Sequence, residues 1–143
     1  MGTLTVPVTN RYHIYTCAVS LYGYYINMSC LFNSLSHFVP QSSFDIRQRI
    51  CDYLQQNQPV IEGLDTSFIL QLDTPNYIGH MRNMSTWGGA IEIQAACNIW
   101  NLRIVVHNHR GGQNSVIEFI PLHGNVERSI SLQWTGGHYE PMR

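Results

Sequence analysis

An α+β fold, with helices packed on a small and mostly antiparallel sheet, is what this sequence predicts, and three observations predict it. Apolar residues recur at helical spacing through the first two thirds of the chain, and the last third turns to short β-rich runs between turn clusters. A length of 143 residues suffices for one hydrophobic core and falls short of two. A single domain over residues 1–143 is therefore expected. Composition agrees: 44% of residues are hydrophobic and only 12% charged, a globular balance poor in solubilising charge.

Residues 1–26 mix β-branched residues and tyrosines with Pro7 and Gly23 and read as an irregular arm with one or two short strands. From Cys30 to Val39 the residues Leu31, Leu35, Phe38 and Val39 share one helical face, and Pro40 ends that helix with Cys30 in its first turn. Phe44 to Gln56 repeats the pattern through Ile46, Ile50, Tyr53 and Leu54, with Ser43 as N-cap and Pro59 as the bound. A short helix fits Asn76 to Met84, and the Trp87-Gly88-Gly89 turn feeds a helix from Ala90 to Trp100. Strands follow at Leu102 to Val106, Val116 to Leu122 and Ser129 to Trp134, and their spacing suggests an antiparallel meander.

Charge and cysteine usage exclude several classes of function. Eight basic against nine acidic residues give a net charge of -1, so neither a nucleic-acid footprint nor a polybasic membrane face is present. No signal peptide and no spanning helix is legible. The four cysteines, Cys17, Cys30, Cys51 and Cys97, form no C-x-x-C pair, which speaks against structural zinc and dense disulfides and for a reducing, cytoplasmic setting, such as a host cytosol. The sequons at Asn27 and Asn83 are read as accidental. His107 and His109 sit two apart but lack a third ligand, so no metal and no cofactor is expected.

Cys30 is the candidate nucleophile, because a helix N-terminus favours the thiolate. Cys17, Cys51 and Cys97 read as packing residues. A thiol nucleophile needs a base, and the base an orienting group. Near the C-terminus, Gly136-Gly137-His138-Tyr139-Glu140 supplies both, since in an extended segment His138 and Glu140 share a face while Tyr139 points the other way.

At these residues the sequence resembles the ovarian-tumour (OTU) family of cysteine deubiquitinases. The family's Asp-Gly-x-Cys-Leu-Phe motif is matched by Asn27-Met28-Ser29-Cys30-Leu31-Phe32, its Trp-Gly-Gly/Asp-x-x-Glu segment by Trp87 to Glu92, and its terminal His-Tyr by His138-Tyr139. The resemblance implies a papain-like fold, Cys30 as nucleophile, His138 as general base, and Glu140 or Asn27 as orienter, with Glu140 favoured. It also implies an oxyanion loop at Met28 and Ser29, with Met28 standing where the family has glycine. Trp134, Gly137 and Trp87 are the candidate walls of a slot for a Gly-Gly tail, although Trp87 reads mainly as scaffold and Trp134 equally as core.

The expected activity is that of a monomeric cysteine isopeptidase cutting after the terminal glycine of ubiquitin or a ubiquitin-like modifier through a thioester on Cys30. All eight basic residues are arginine, and a lysine-free protein offers few side-chain amines for its own modification. Two alternatives stand beside this reading. One is a polyprotein-processing endopeptidase, of the kind viral members of the family supply, which the end of the chain soon after Glu140 would suit as a domain cut from a longer polypeptide. The other is a modifier-binding module whose changes at Asn27, Met28 and Glu140 mark lost catalysis.

Overall fold

The structure, a computed structural model, describes residues 28–108 and 115–143. The expected N-terminal arm, Cys17, Asn27 and His109 lie outside the described residues. Helix α1, Cys30–Leu35, buries five of its six residues. It stops short of the expected Val39 because the chain tightens after Leu35: the His37 N–H bonds the Ser34 carbonyl and the Phe38 N–H the Leu35 carbonyl, three-residue bonds that close a helix. Helix α2, Ser43–Gln55, starts one residue earlier than expected, because Ser42 is the cap; its Oγ accepts the Asp45 N–H at 3.1 Å. Helix α3, Thr66–Asp73, was not expected from the sequence; Asp65 caps it by accepting the Phe68 N–H. Helix α4, Tyr77–Met81, is shorter than the run expected around it, and α5, Ala90–Trp100, has the expected bounds.

Four strands form one sheet: β1 (Leu102–Asn108), β2 (Ser115–Phe119), β3 (Arg128–Trp134) and β4 (Tyr139–Met142), in the order β2-β1-β3-β4. Two of the three pairings are antiparallel, as expected of the sheet, but the meander is corrected: β3 lies parallel beside β1, and β2 is left at the edge. Burial explains the order. Ile104 and Val106 present apolar side chains to the helices and take the centre, where Ile104 is flanked by Phe119 on β2 and Ile130 on β3. β2 is largely exposed and suits an edge. The returning segment is pinned to α5, with the Leu122 N–H on Asn98 Oδ1, Gln94 Nε2 on the Ile120 carbonyl and the Glu127 N–H on the Asn101 carbonyl.

The core lies between the sheet and helices α1, α2 and α5, built from Leu31, Phe32, Ile46, Ile50, Ile93 and Leu132 among others. Each such side chain contributes roughly 1.5–3 kcal/mol on burial. Cys51 and Cys97 are fully buried there, and loss of water pushes both thiols up to about 12, so they are protonated at neutral pH.

One carboxyl group is buried with them. Glu92 accepts the Gly89 N–H at 2.7 Å, which caps α5, and the Tyr77 hydroxyl at 2.5 Å. Burial, the largest influence on it, raises its pKa above the ordinary carboxyl value, outweighing those two hydrogen bonds. The folded protein therefore holds this proton more tightly than the unfolded chain, and stability falls as pH rises from the unfolded carboxyl pKa towards the folded one. Glu92→Gln keeps an acceptor for Gly89 without a titrating proton. Denaturation measured across that interval should show a steeper fall with pH in the wild type than in Glu92→Gln; parallel curves would refute the linkage.

Candidate active site

The chain enters α1 through Met28 and Ser29, both buried, and Cys30 keeps 9% of its surface exposed at the rim of the core. That rim position separates it from Cys51 and Cys97, which have no exposure. The Met28 N–H is engaged by the Met84 carbonyl at 2.9 Å. Behind α1 runs the Trp87-Gly88-Gly89 turn, and a Cβ on Gly88 would stand 2.6 Å from Leu31 Cδ2 and 2.9 Å from Phe32 Cζ. Glycine is required there for space, so the turn's role as scaffold acts directly on the helix that carries the thiol.

His138 is delivered by the four-residue link between β3 and β4. The Thr135 N–H donates to the His138 carbonyl at 3.0 Å, closing a turn in which Gly136 and Gly137 take φ of +83° and +135°, values that side chains resist. Beyond it Trp134 pairs with Tyr139 and Gln133 with Glu140. Tyr139 is buried in the core, so Glu140 falls on the opposite face. His138 Nε2 lies 3.2 Å from Glu140 Oε1, with the two side chains 40% and 55% exposed. A pair this open to water adds about 1 kcal/mol or less to stability.

The two motifs meet through Ser34. Its buried hydroxyl lies 2.7 Å from the Cys30 carbonyl and 3.0 Å from the Tyr139 carbonyl, one proton shared between the first turn of α1 and the residue after His138. β4 is an edge strand, and this bond gives its outward carbonyl a partner. Arg143 Nη2 and His37 Nδ1, 3.0 Å apart, make a second tie between the segments that follow β4 and α1.

Among the other candidates, Trp134 is half-buried and packs on the core at the end of β3, and Gly137 is buried in the turn before His138. Trp87 is half-buried, and its Nε1 is shielded from water with no hydrogen-bond partner among the described residues. His107 stands level with Gln133 on the sheet, and among the described residues no three His, Cys, Asp or Glu side chains gather as a metal site would need. No described helix is long and apolar enough to cross a membrane. A concavity lined by Val39, Trp100, Leu102 and Arg128 lies where β1 and β3 begin, at the end of the sheet opposite His138.

Arg47 is the residue that sequence reasoning missed. Its side chain is buried on α2, stacks 4.1 Å above the Phe32 ring, and bonds the Met28 carbonyl (3.3 Å), Ser29 Oγ (3.0 Å), the Met81 carbonyl (2.9 Å) and the Thr86 carbonyl (2.8 Å). Its place on the apolar face of α2, one position after Ile46, was the available signal.

A family model described as OTU-like cysteine protease matches residues 29–140. A ubiquitin thioesterase, otu2, of Schizosaccharomyces pombe is 30% identical over 128 residues, a match covering 80% of this chain and 42% of that protein. The chain thus spans under half the length of this relative. Among solved structures, an OTU domain in complex with ubiquitin superposes with a TM-score of 0.60 at 23% identity, covering 82% of this chain and 64% of that one. The viral OTU domain protease from Dera Ghazi Khan virus gives the same score at 21% identity, covering 82% and 77%. These two likenesses establish the fold.

Proposed function

This chain belongs to the OTU-like cysteine proteases, and we propose that it is a deubiquitinase that hydrolyses the bond after the C-terminal glycine of ubiquitin or a ubiquitin-like modifier. The observation that carries this reading is the Ser34 hydroxyl shared by the carbonyls of Cys30 and Tyr139, because it joins the candidate nucleophile's turn to the strand of the candidate base.

In the proposed reaction His138 takes the Cys30 proton through Nδ1, since Nε2 faces Glu140. The thiolate attacks the glycine carbonyl, and the oxyanion is met by backbone N–H groups at the start of α1. Collapse expels the amine, which receives the proton from His138, and leaves a thioester on Cys30. Water, deprotonated by the same imidazole, then releases the modifier and restores the thiol. A reducing compartment suits this chemistry, because only a free thiol attacks. Trp134 and Gly137, beside His138, and Trp87 behind α1 are assigned to the slot for the glycine tail. The relative from Schizosaccharomyces pombe bears the name of a ubiquitin thioesterase, which supports the modifier as substrate.

A ubiquitin whose C-terminus carries a thiol-reactive electrophile tests the reading. It should label Cys30 alone, while Cys51 and Cys97, held protonated by burial, stay unmodified, and Cys30→Ala should abolish both labelling and chain cleavage. Failure of ubiquitin and ubiquitin-like probes alike to label the folded wild type would overturn it.

A further inference from the structure

We propose that Arg47 is a positioning residue for the reaction, holding the peptide between Met28 and Ser29 so that its N–H faces the oxyanion. The inference rests on the cysteine-protease reading above and adds a residue to it. A buried guanidinium is normally matched by a carboxylate. Among the described residues Arg47 has no such ion pair, and its terminal nitrogens meet four oxygens, three backbone carbonyls and one hydroxyl, besides the Met81 sulfur at 3.7 Å. Two of the four oxygens belong to Met28 and Ser29, immediately before Cys30. The other two belong to Met81 and Thr86, on either side of Met84, whose carbonyl takes the Met28 N–H.

Peptide geometry supplies the consequence. In a planar trans unit the C=O and the N–H point in opposite directions, and the described residues contain no cis bond. Arg47 draws the Met28 carbonyl into the core, so the N–H of the same unit, which is that of Ser29, is directed away from the core at the point where the chain reaches Cys30. Methionine at position 28 lacks the backbone freedom of glycine, and an external clamp supplies the constraint that fixes this unit. The Phe32 ring under the guanidinium ties the clamp to α1 itself.

Arg47→Lys, which keeps the charge and loses the fork, and Arg47→Met test the proposal beside Ser29→Ala, which removes one acceptor without disturbing the core. With a fluorogenic ubiquitin C-terminal amide, kcat should fall about 100-fold in Arg47→Met, in the range for losing one oxyanion donor, less in Arg47→Lys and a few-fold in Ser29→Ala, while KM changes little. Alkylation of Cys30 by iodoacetamide forms no oxyanion and should proceed at the wild-type rate. Amide hydrogen exchange at Met28, whose N–H bonds the Met84 carbonyl, should accelerate in the Arg47 variants, with the sheet still protected. Wild-type kcat in a folded Arg47 variant, a parallel fall of turnover and alkylation, or unchanged exchange would each overturn the proposal. If Arg47→Met does not fold, the other two variants decide. A wild type that turns over no modifier would sink the deubiquitinase reading, and the exchange measurement would still judge whether Arg47 holds the loop.

Discussion

His138→Gln should lower kcat/KM for a ubiquitin amide substrate by about 1,000-fold or more, with the fold intact. In the proposed reaction the imidazole acts twice, first accepting the thiol proton and then delivering it to the leaving amine, and general acid-base catalysis by one positioned group supplies about 10²–10⁴-fold. Glutamine is close in size and cannot carry a proton between the two steps. The side chain is 40% exposed and stands on a turn closed by backbone hydrogen bonding, so its replacement leaves the core unaltered and circular dichroism should match the wild type. Glu140→Gln should cost far less, about tenfold. In deeply buried triads the orienting carboxylate matters much more, but Glu140 is 55% exposed and an amide oxygen can still accept the Nε2 hydrogen. Kinetics of the two variants side by side check the ranking. A His138→Gln enzyme within tenfold of wild type would remove this imidazole from the chemistry.

The candidate site was legible in the sequence because the chemistry it would need is local. Cys30 at a helix start and His138 two residues before Glu140 can be found without knowing how the chain folds, and the structure sets those groups on α1 and at the head of β4. Helix α5 was legible for a similar reason, its apolar run being opened by two glycines and closed by Asn101 in the left-handed conformation. What escaped notice depends on distant partners. Helix α3 exposes Phe68 and Leu72, so its apolar residues do not mark one buried face, and only the Asp65 cap announced it. The parallel pairing of β1 with β3 follows from which strand has apolar neighbours to offer, and turn clusters carry no such information. Arg47 offered only its place on the apolar face of α2. A basic residue in an amphipathic helix is ordinarily solvated, and only the folded chain shows four oxygens converging on it.

Gly88→Ala should destabilise the protein by about 1–3 kcal/mol, the usual range for overfilling a packed interior, and should also disturb catalysis. The added methyl would stand 2.6 Å from Leu31 Cδ2 and 2.9 Å from Phe32 Cζ, and both side chains are fully buried with no free volume into which to retreat. Gly88 lies outside the positive-φ set, so the penalty comes from contact with α1 rather than from backbone strain. Leu31 adjoins Cys30, and relief of the clash must push the first turn of α1 and move the thiol it carries. Under conditions where the variant remains fully folded, turnover should therefore fall, which loss of stability alone would not produce. Leu31→Val removes the carbon that meets the new methyl. Alone it should cost roughly 1 kcal/mol, and combined with Gly88→Ala the loss should be smaller than the sum, because the two changes relieve each other. Denaturant unfolding of the single and double variants measures that coupling, and strictly additive losses, or a Gly88→Ala protein as stable and active as the wild type, would show that the turn does not bear on α1.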